Sequence, residues 1–204
     1  MSNVSNPKKK MNRETLQKNV VTAVYCALVI VMTFTPFIGY IRVGVVDATT
    51  VHIIVIMAAV TLGVARGTIV GTVWGLTCWL YAIMRGTPEV LWFMDFRVSV
   101  IPRILVGFVS ALCFIGAKKL LAKTQKPEFN AMIVTGAIGT LSNTLFVLSS
   151  LWLFKKDLGA TLNTLFTINV LINFVVEAIV AAILVPAVGT PVMKYAFKND
   201  VKSK

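Results

Sequence analysis

Between Asn19 and Ile41 the chain runs for 23 residues without a charged side chain. Comparable stretches follow at Ala48–Ala65, Gly67–Met84 and Phe129–Phe154. Val98–Ala117 is interrupted only by Arg103, and Leu158–Met193 only by Glu177. A helix needs about 20 mostly apolar residues to cross the hydrocarbon core of a bilayer. Membrane-barrel strands are about half that length and alternate in polarity, so continuous runs exclude them. The pattern predicts an all-α integral membrane protein. Composition agrees. Of 204 residues 57% are hydrophobic and only 14% charged, against about 25% charged in soluble domains. Disorder needs low hydrophobicity and is excluded on the same ground.

The runs resolve into a six-transmembrane-helix bundle. A very tight turn is expected at Arg66–Gly67 between the second and third spans. The last run reads as an entry loop followed by one helix starting near Thr161–Thr164, with Pro186 and Pro191 close to its end. Residues 1–18 form an N-terminal tail, 19–197 the membrane domain and 198–204 a C-terminal tail. No internal or inverted repeat is visible.

The net charge of +12 is mostly a topological label. With the N-terminus in the cytoplasm, fourteen of the 20 basic residues fall inside: those of both tails, Arg66, Lys118, Lys119, Lys123, Lys126 and Lys194. Cytoplasmic loops carry such an excess, so both termini are expected there. Nucleic-acid binding would interleave these lysines with aromatics on one surface. They sit at span ends instead, so no nucleic-acid partner is expected.

Catalytic chemistry has little to stand on. There is no Walker motif, HExxH or GxSxG. His52 is the single histidine, and Cys26, Cys78 and Cys113 lie in separate apolar runs. Neither a disulfide framework nor a metal site is expected, and no catalytic residue or cofactor is assigned. Active transport would have to draw energy from a partner or an ion gradient.

The informative residues are polar ones at membrane depth, where a charge costs about 2.5–3.5 kcal/mol on insertion scales. Asn169, Asn173 and Glu177 are spaced by four and share one helix face. Arg103 lies one and a half turns into the fourth span, with Ser99 one turn above it. Asn143 is mid-span in the fifth. His52 opens the second, just below Asp47. The loop from Arg85 to Arg97 adds Trp92, Phe93 and Phe96. One reading is an outward-facing polar cavity for a small hydrophilic molecule, capped by that loop. The other is a packing network in which Arg103 pairs with Glu177, the asparagines bridge helices, and the loop aromatics form an interfacial belt. Trp74, Trp79, Trp152 and Tyr81 read as belt or packing residues. Ala23 and Ala27 form a small-xxx-small pair, suited to close helix contact either inside the monomer or with a partner protein.

Four segments together carry a family resemblance: Gly39-Tyr40-Ile41, Asp47-Ala48-Thr49-Thr50-Val51-His52-Ile53, Ile101-Pro102-Arg103-Ile104-Leu105-Val106-Gly107, and Gly139-Thr140-Leu141-Ser142-Asn143-Thr144. In this order and spacing the chain resembles the substrate-binding S components of energy-coupling factor (ECF) vitamin transporters, from about Val20 to Phe197. It is most similar to the branch with pantothenate, pyridoxine-type and hydroxymethylpyrimidine-type S components. The resemblance implies six helices, cytoplasmic termini, a location in the bacterial cell membrane, and a vitamin site near the outer face. It implies partners: the transmembrane coupling protein EcfT and two cytoplasmic ATPases that use ATP. It also implies that Ala23 and Ala27 meet the coupling protein, and that the subunit topples in the bilayer during transport.

The vitamin is a question of chemistry. Pantothenate offers a carboxylate, an amide and hydroxyls. Arg97 and Arg103 suit the carboxylate, because a guanidinium fork binds it bidentately, and asparagines suit the rest. A pyridoxine or pyrimidine ligand would want aromatic stacking and a carboxylate such as Glu177. Pantothenate is the expected vitamin. Pyridoxine-type, hydroxymethylpyrimidine-type, folate and riboflavin ligands stay open, as does a ligand-free membrane scaffold or assembly protein. The site expected from sequence is Asp47, His52, Trp92, Arg97, Arg103, Asn143, Asn169, Asn173 and Glu177.

Overall fold

Gly63 divides the second apolar run from the third. Its φ of +84° belongs to a backbone region that only glycine enters without steric cost. The computed structural model describes residues 13–35, 40–43, 46–155 and 168–196. For 40–43, 46–48, 88, 89 and 168–170 it describes the backbone alone. The elements are α1 (Arg13–Phe34), β1 (Tyr40–Val43), β2 (Val46–Thr49), α2 (Val51–Leu62), α3 (Val64–Arg85), a 3₁₀ segment (Pro88–Met94), α4 (Phe96–Leu120), α5 (Pro127–Phe154) and α6 (Ile168–Ala196). The turn between α2 and α3 therefore sits at Gly63, three residues before the expected Arg66–Gly67. The reason is the glycine itself: Arg66 and Gly67 continue the helix, and Gly67 approaches Ala59 closely.

Among the described residues, five helices are long and apolar enough to cross a membrane: α1, α3, α4, α5 and Leu171–Ala196 of α6. The remaining expected span, the second, is the 12-residue α2, about 18 Å long. It is apolar on all sides and almost wholly buried against its neighbours. Such a helix belongs to the protein interior, so bilayer thickness does not set its length. Residues expected to end the first span and open the second form an antiparallel hairpin instead, in a register that sets Tyr40 opposite Thr49 and Arg42 opposite Asp47. Short β-branched runs favour strands, and a hairpin satisfies their backbone groups locally. The start expected near Thr161–Thr164 lies outside the described residues.

Close backbone approach holds the centre together. Lipid tails are as apolar as leucine, so membrane helices associate through packing and small residues rather than hydrophobic drive. A methyl group at Gly71 of α3 would collide with the Arg103 carbonyl of α4, and one at Gly107 of α4 with the Gly67 carbonyl of α3. On α5, Gly136 meets the backbone of α6 at Ala181, and Gly139 meets Ile56 and Ser110.

Side-chain contacts fix the ends of the bundle. Arg66 Nη2 donates to Asn19 Oδ1 at 3.1 Å, and Thr190 of α6 reaches Met132 of α5. The start of α1, the Gly63 turn, the α4–α5 turn and the end of α6 thus share one end. It carries Arg66, Lys118, Lys119, Lys123, Lys126 and Lys194. The hairpin and the 3₁₀ segment lie at the opposite end.

Candidate functional site

Arg103 is 6% exposed, deep in α4. Its Nη1 donates to the Val98 carbonyl at 2.8 Å. The Trp74 and Phe93 rings lie 5.3 and 5.2 Å from the guanidinium carbon, within cation–π range. Phe93 is held in turn by Ser99, whose hydroxyl donates to the Phe93 carbonyl at 2.5 Å. Trp74 reaches Arg103 because Gly71 and Gly75 let α3 lie directly on α4. Arg103 Nε and Trp74 Nε1 are buried donors with no partner. Among the described residues, no carboxylate lies within ion-pair distance of Arg103. The pairing of Arg103 with Glu177 contemplated from sequence does not form, because Glu177 is engaged elsewhere.

Glu177 Oε1 accepts the backbone N–H of Thr49 at 2.6 Å, tying α6 to the end of the hairpin. His52 is fully buried, with Nε2 3.1 Å from Thr140 Oγ1 of α5 and Nδ1 3.4 Å from Thr49 Oγ1. One turn along α5 from Thr140, Asn143 is 7% exposed and its Oδ1 has no partner. One turn along α6 from Glu177, Asn173 is also 7% exposed, and its Nδ2 has none. Buried polar atoms normally find partners, so four orphans on α3–α6 in the hairpin-side half of the bundle need an explanation. They offer donors at Arg103, Trp74 and Asn173, and an acceptor at Asn143.

Other candidates sit elsewhere. Arg97 is largely exposed and lies against Asp95, with Nη2 3.1 Å from Oδ2, while its guanidinium carbon stands 4.5 Å over the Phe154 ring. Asp95 caps α4 by accepting the Arg97 N–H at 2.9 Å, and Lys155 Nζ approaches at 3.1 Å. Trp92 packs against the apolar cluster of Val98, Leu148 and Leu151. The side chains of Asp47 and Asn169 lie outside the described residues. Ala23 and Ala27 are exposed on α1. Ala23 helps to line an open groove of about 470 Å³ with Asn19, Thr22, Cys26, Ala65, Arg66 and Ile69.

The Asp95 cluster makes a pH prediction. Hydrogen bonds from Arg97, then from Lys155, hold the Asp95 carboxyl well below its ordinary range. A depressed carboxyl stabilises the fold above the unfolded-state pKa, about 3.9, and that contribution disappears as pH falls below it. The melting-temperature gap between wild type and Asp95→Asn is expected to be full above pH ~4 and to close below it. A gap that stays constant into acid would remove Asp95 as the cause.

Trp74 is the residue that sequence reading assigned to a belt or to packing. At 1% exposure it packs in the core and is no interfacial belt residue, and its buried Nε1 has no partner. The signal was the glycine pair at 71 and 75, which marks the face on which Trp74 also lies.

Comparison with known proteins adds to this geometry. The family model described as ECF transporter, substrate-specific component, matches residues 11–189. Pantothenic acid transporter PanT of Lactococcus lactis subsp. cremoris is 30% identical over 196 residues, spanning 88% of this chain and 95% of that protein. Pantothenate transporter PanT of Leuconostoc mesenteroides subsp. mesenteroides is 28% identical over 196 residues, spanning 90% and 95%. With its membrane-crossing helices and orphaned interior polar groups, the chain belongs to the substrate-specific components of ECF transporters.

Proposed function

We propose that this chain is the vitamin-binding subunit of an ATP-driven importer and that its vitamin is pantothenate. The observation that carries the reading is Arg103: a buried guanidinium within cation–π range of two aromatic rings, bonded to a neutral carbonyl and, among the described residues, to no carboxylate. A buried cation without a counter-ion is costly unless the ligand brings one. Pantothenate brings a carboxylate, and its amide and hydroxyls suit Asn143 and Asn173. Pyridoxine-type and hydroxymethylpyrimidine-type vitamins bring no carboxylate. The names of the two pantothenate transporters to which the chain is similar support the same choice.

In this reading the basic end faces the cytoplasm, both termini lie there, and the site opens outward. The membrane is the bacterial cell membrane. The exposed Ala23–Ala27 face meets a transmembrane coupling protein, EcfT, and two ATPases of that complex hydrolyse ATP. His52 and Glu177 hold the hairpin against α5 and α6 at the mouth of the site.

Calorimetry of the purified protein against a panel of vitamins is the test. Pantothenate is expected to bind with a nanomolar to micromolar Kd and the others far more weakly. Tighter binding of a cationic or neutral vitamin, or of none, would overturn the reading.

A further inference from the structure

Pro102 stands inside α4, directly before Arg103. Proline has no amide hydrogen, so the helical bond that residue 102 would send to the Val98 carbonyl, four residues back, is missing. Val98 is fully buried, and a buried carbonyl left without a donor costs stability. In this structure Arg103 Nη1 takes that carbonyl at 2.8 Å. The reach is five residues toward the helix N-terminus, the direction in which helical side chains lean.

The bond fixes one corner of the guanidinium, and the Trp74 and Phe93 rings lie against it. Nε has no partner, and Nη2 makes no hydrogen bond to a described residue. What remains is the Nε–Nη2 edge, two parallel donors that match the two oxygens of a carboxylate. A carboxylate partner could orient Arg103 equally well, but it would cancel the charge. A backbone carbonyl orients the group and leaves its charge for the ligand.

We propose that Pro102 is a positioning residue for anion recognition: it withholds the helical donor from Val98, and the vacant carbonyl holds Arg103 with its carboxylate-binding edge free. The proposal rests on the reading of the vitamin as pantothenate. In Pro102→Ala or Pro102→Ser the restored N–H competes for the Val98 carbonyl, and Arg103 no longer holds that acceptor alone.

Both variants restore a residue that continues a helix better than proline does, so folding is expected and melting temperature checks it. Affinities are measured for pantothenate and for pantothenol, the neutral analogue with a hydroxymethyl group in place of the carboxylate. Wild type is expected to prefer pantothenate strongly. In each variant pantothenate affinity should fall by about tenfold and pantothenol affinity should hold, so the preference shrinks by the same factor. If Pro102 only bends α4, both ligands weaken in parallel and the ratio stays, which overturns the proposal. A wild type that binds pantothenate without preference over pantothenol, or not at all, overturns the vitamin reading first. A wild type that discriminates, with variants that discriminate equally, overturns the role of Pro102 alone. Nitrogen-15 NMR of arginine-labelled, ligand-free protein gives a second readout. One Nη signal should be distinct and slowly exchanging in wild type and averaged in the variants. Identical signals would refute the restraint.

Discussion

Arg103→Ala is expected to weaken pantothenate binding by about a hundredfold. Two losses combine. The carboxylate loses a bidentate charged partner, and Trp74 and Phe93 lose the cation between them. Arg103→Lys should recover only part of the loss, because an ammonium cannot both hold the Val98 carbonyl and present a flat two-donor edge. The alanine variant should also melt lower, since Val98 is left with neither a helical nor a side-chain donor. Calorimetry on folded protein decides the matter. Unchanged affinity in Arg103→Ala would remove Arg103 from the site, whatever happened to stability.

The second large effect concerns transport rather than binding. Ala23→Trp and Ala27→Trp are expected to abolish pantothenate uptake in cells and co-purification with the coupling protein, while the purified subunit binds pantothenate as before. Both alanines are exposed, and the buried face of α1 consists of Tyr25, Val29 and Thr33. A bulky ring therefore has room in the isolated subunit but none under a closely packed partner helix. Combined loss of folding and binding would return the pair to internal packing. Normal uptake would place the partner contact elsewhere.

How legible this protein was from its sequence depended on the length scale of the signal. Long charge-free runs located α3, α4 and α5 to within a few residues, because hydrocarbon thickness dictates span length. The rule failed for α2, which is surrounded by protein and need not match the bilayer. It failed again at Tyr40–Thr49, where apolar continuity hid a hairpin. At the site, costs of burial made Arg103, Asn143, Asn173 and Glu177 conspicuous before any fold was known. Pairing was not legible. Arg103 and Glu177 are opposite charges in one bundle, yet each takes a backbone group instead. Arg97 is an arginine on the same helix as Arg103, but its place at the first turn of α4 gives it to the Asp95 cap. Proline at 102 was visible as a motif residue, whereas its effect on Val98 required the side-chain geometry.

The α3–α4 seam has a mechanical consequence. At Gly71 and Gly107 the two backbones already touch, and neither position has room for one methyl group. Sliding either helix along the other would bring larger buried side chains, such as Trp74 or Val106, into a gap sized for hydrogen atoms. The seam is thus a weld rather than a bearing. A carrier that works by rocking two halves past each other needs a bearing through its centre, and this bundle has none there. Trp74 and Arg103, one on each side of the weld, keep their relative position however the rest of the molecule moves. Motion that changes which side of the membrane the site faces must carry α3 and α4 together as one rigid body, with the lightly buried α1 and the hairpin left to adjust around them.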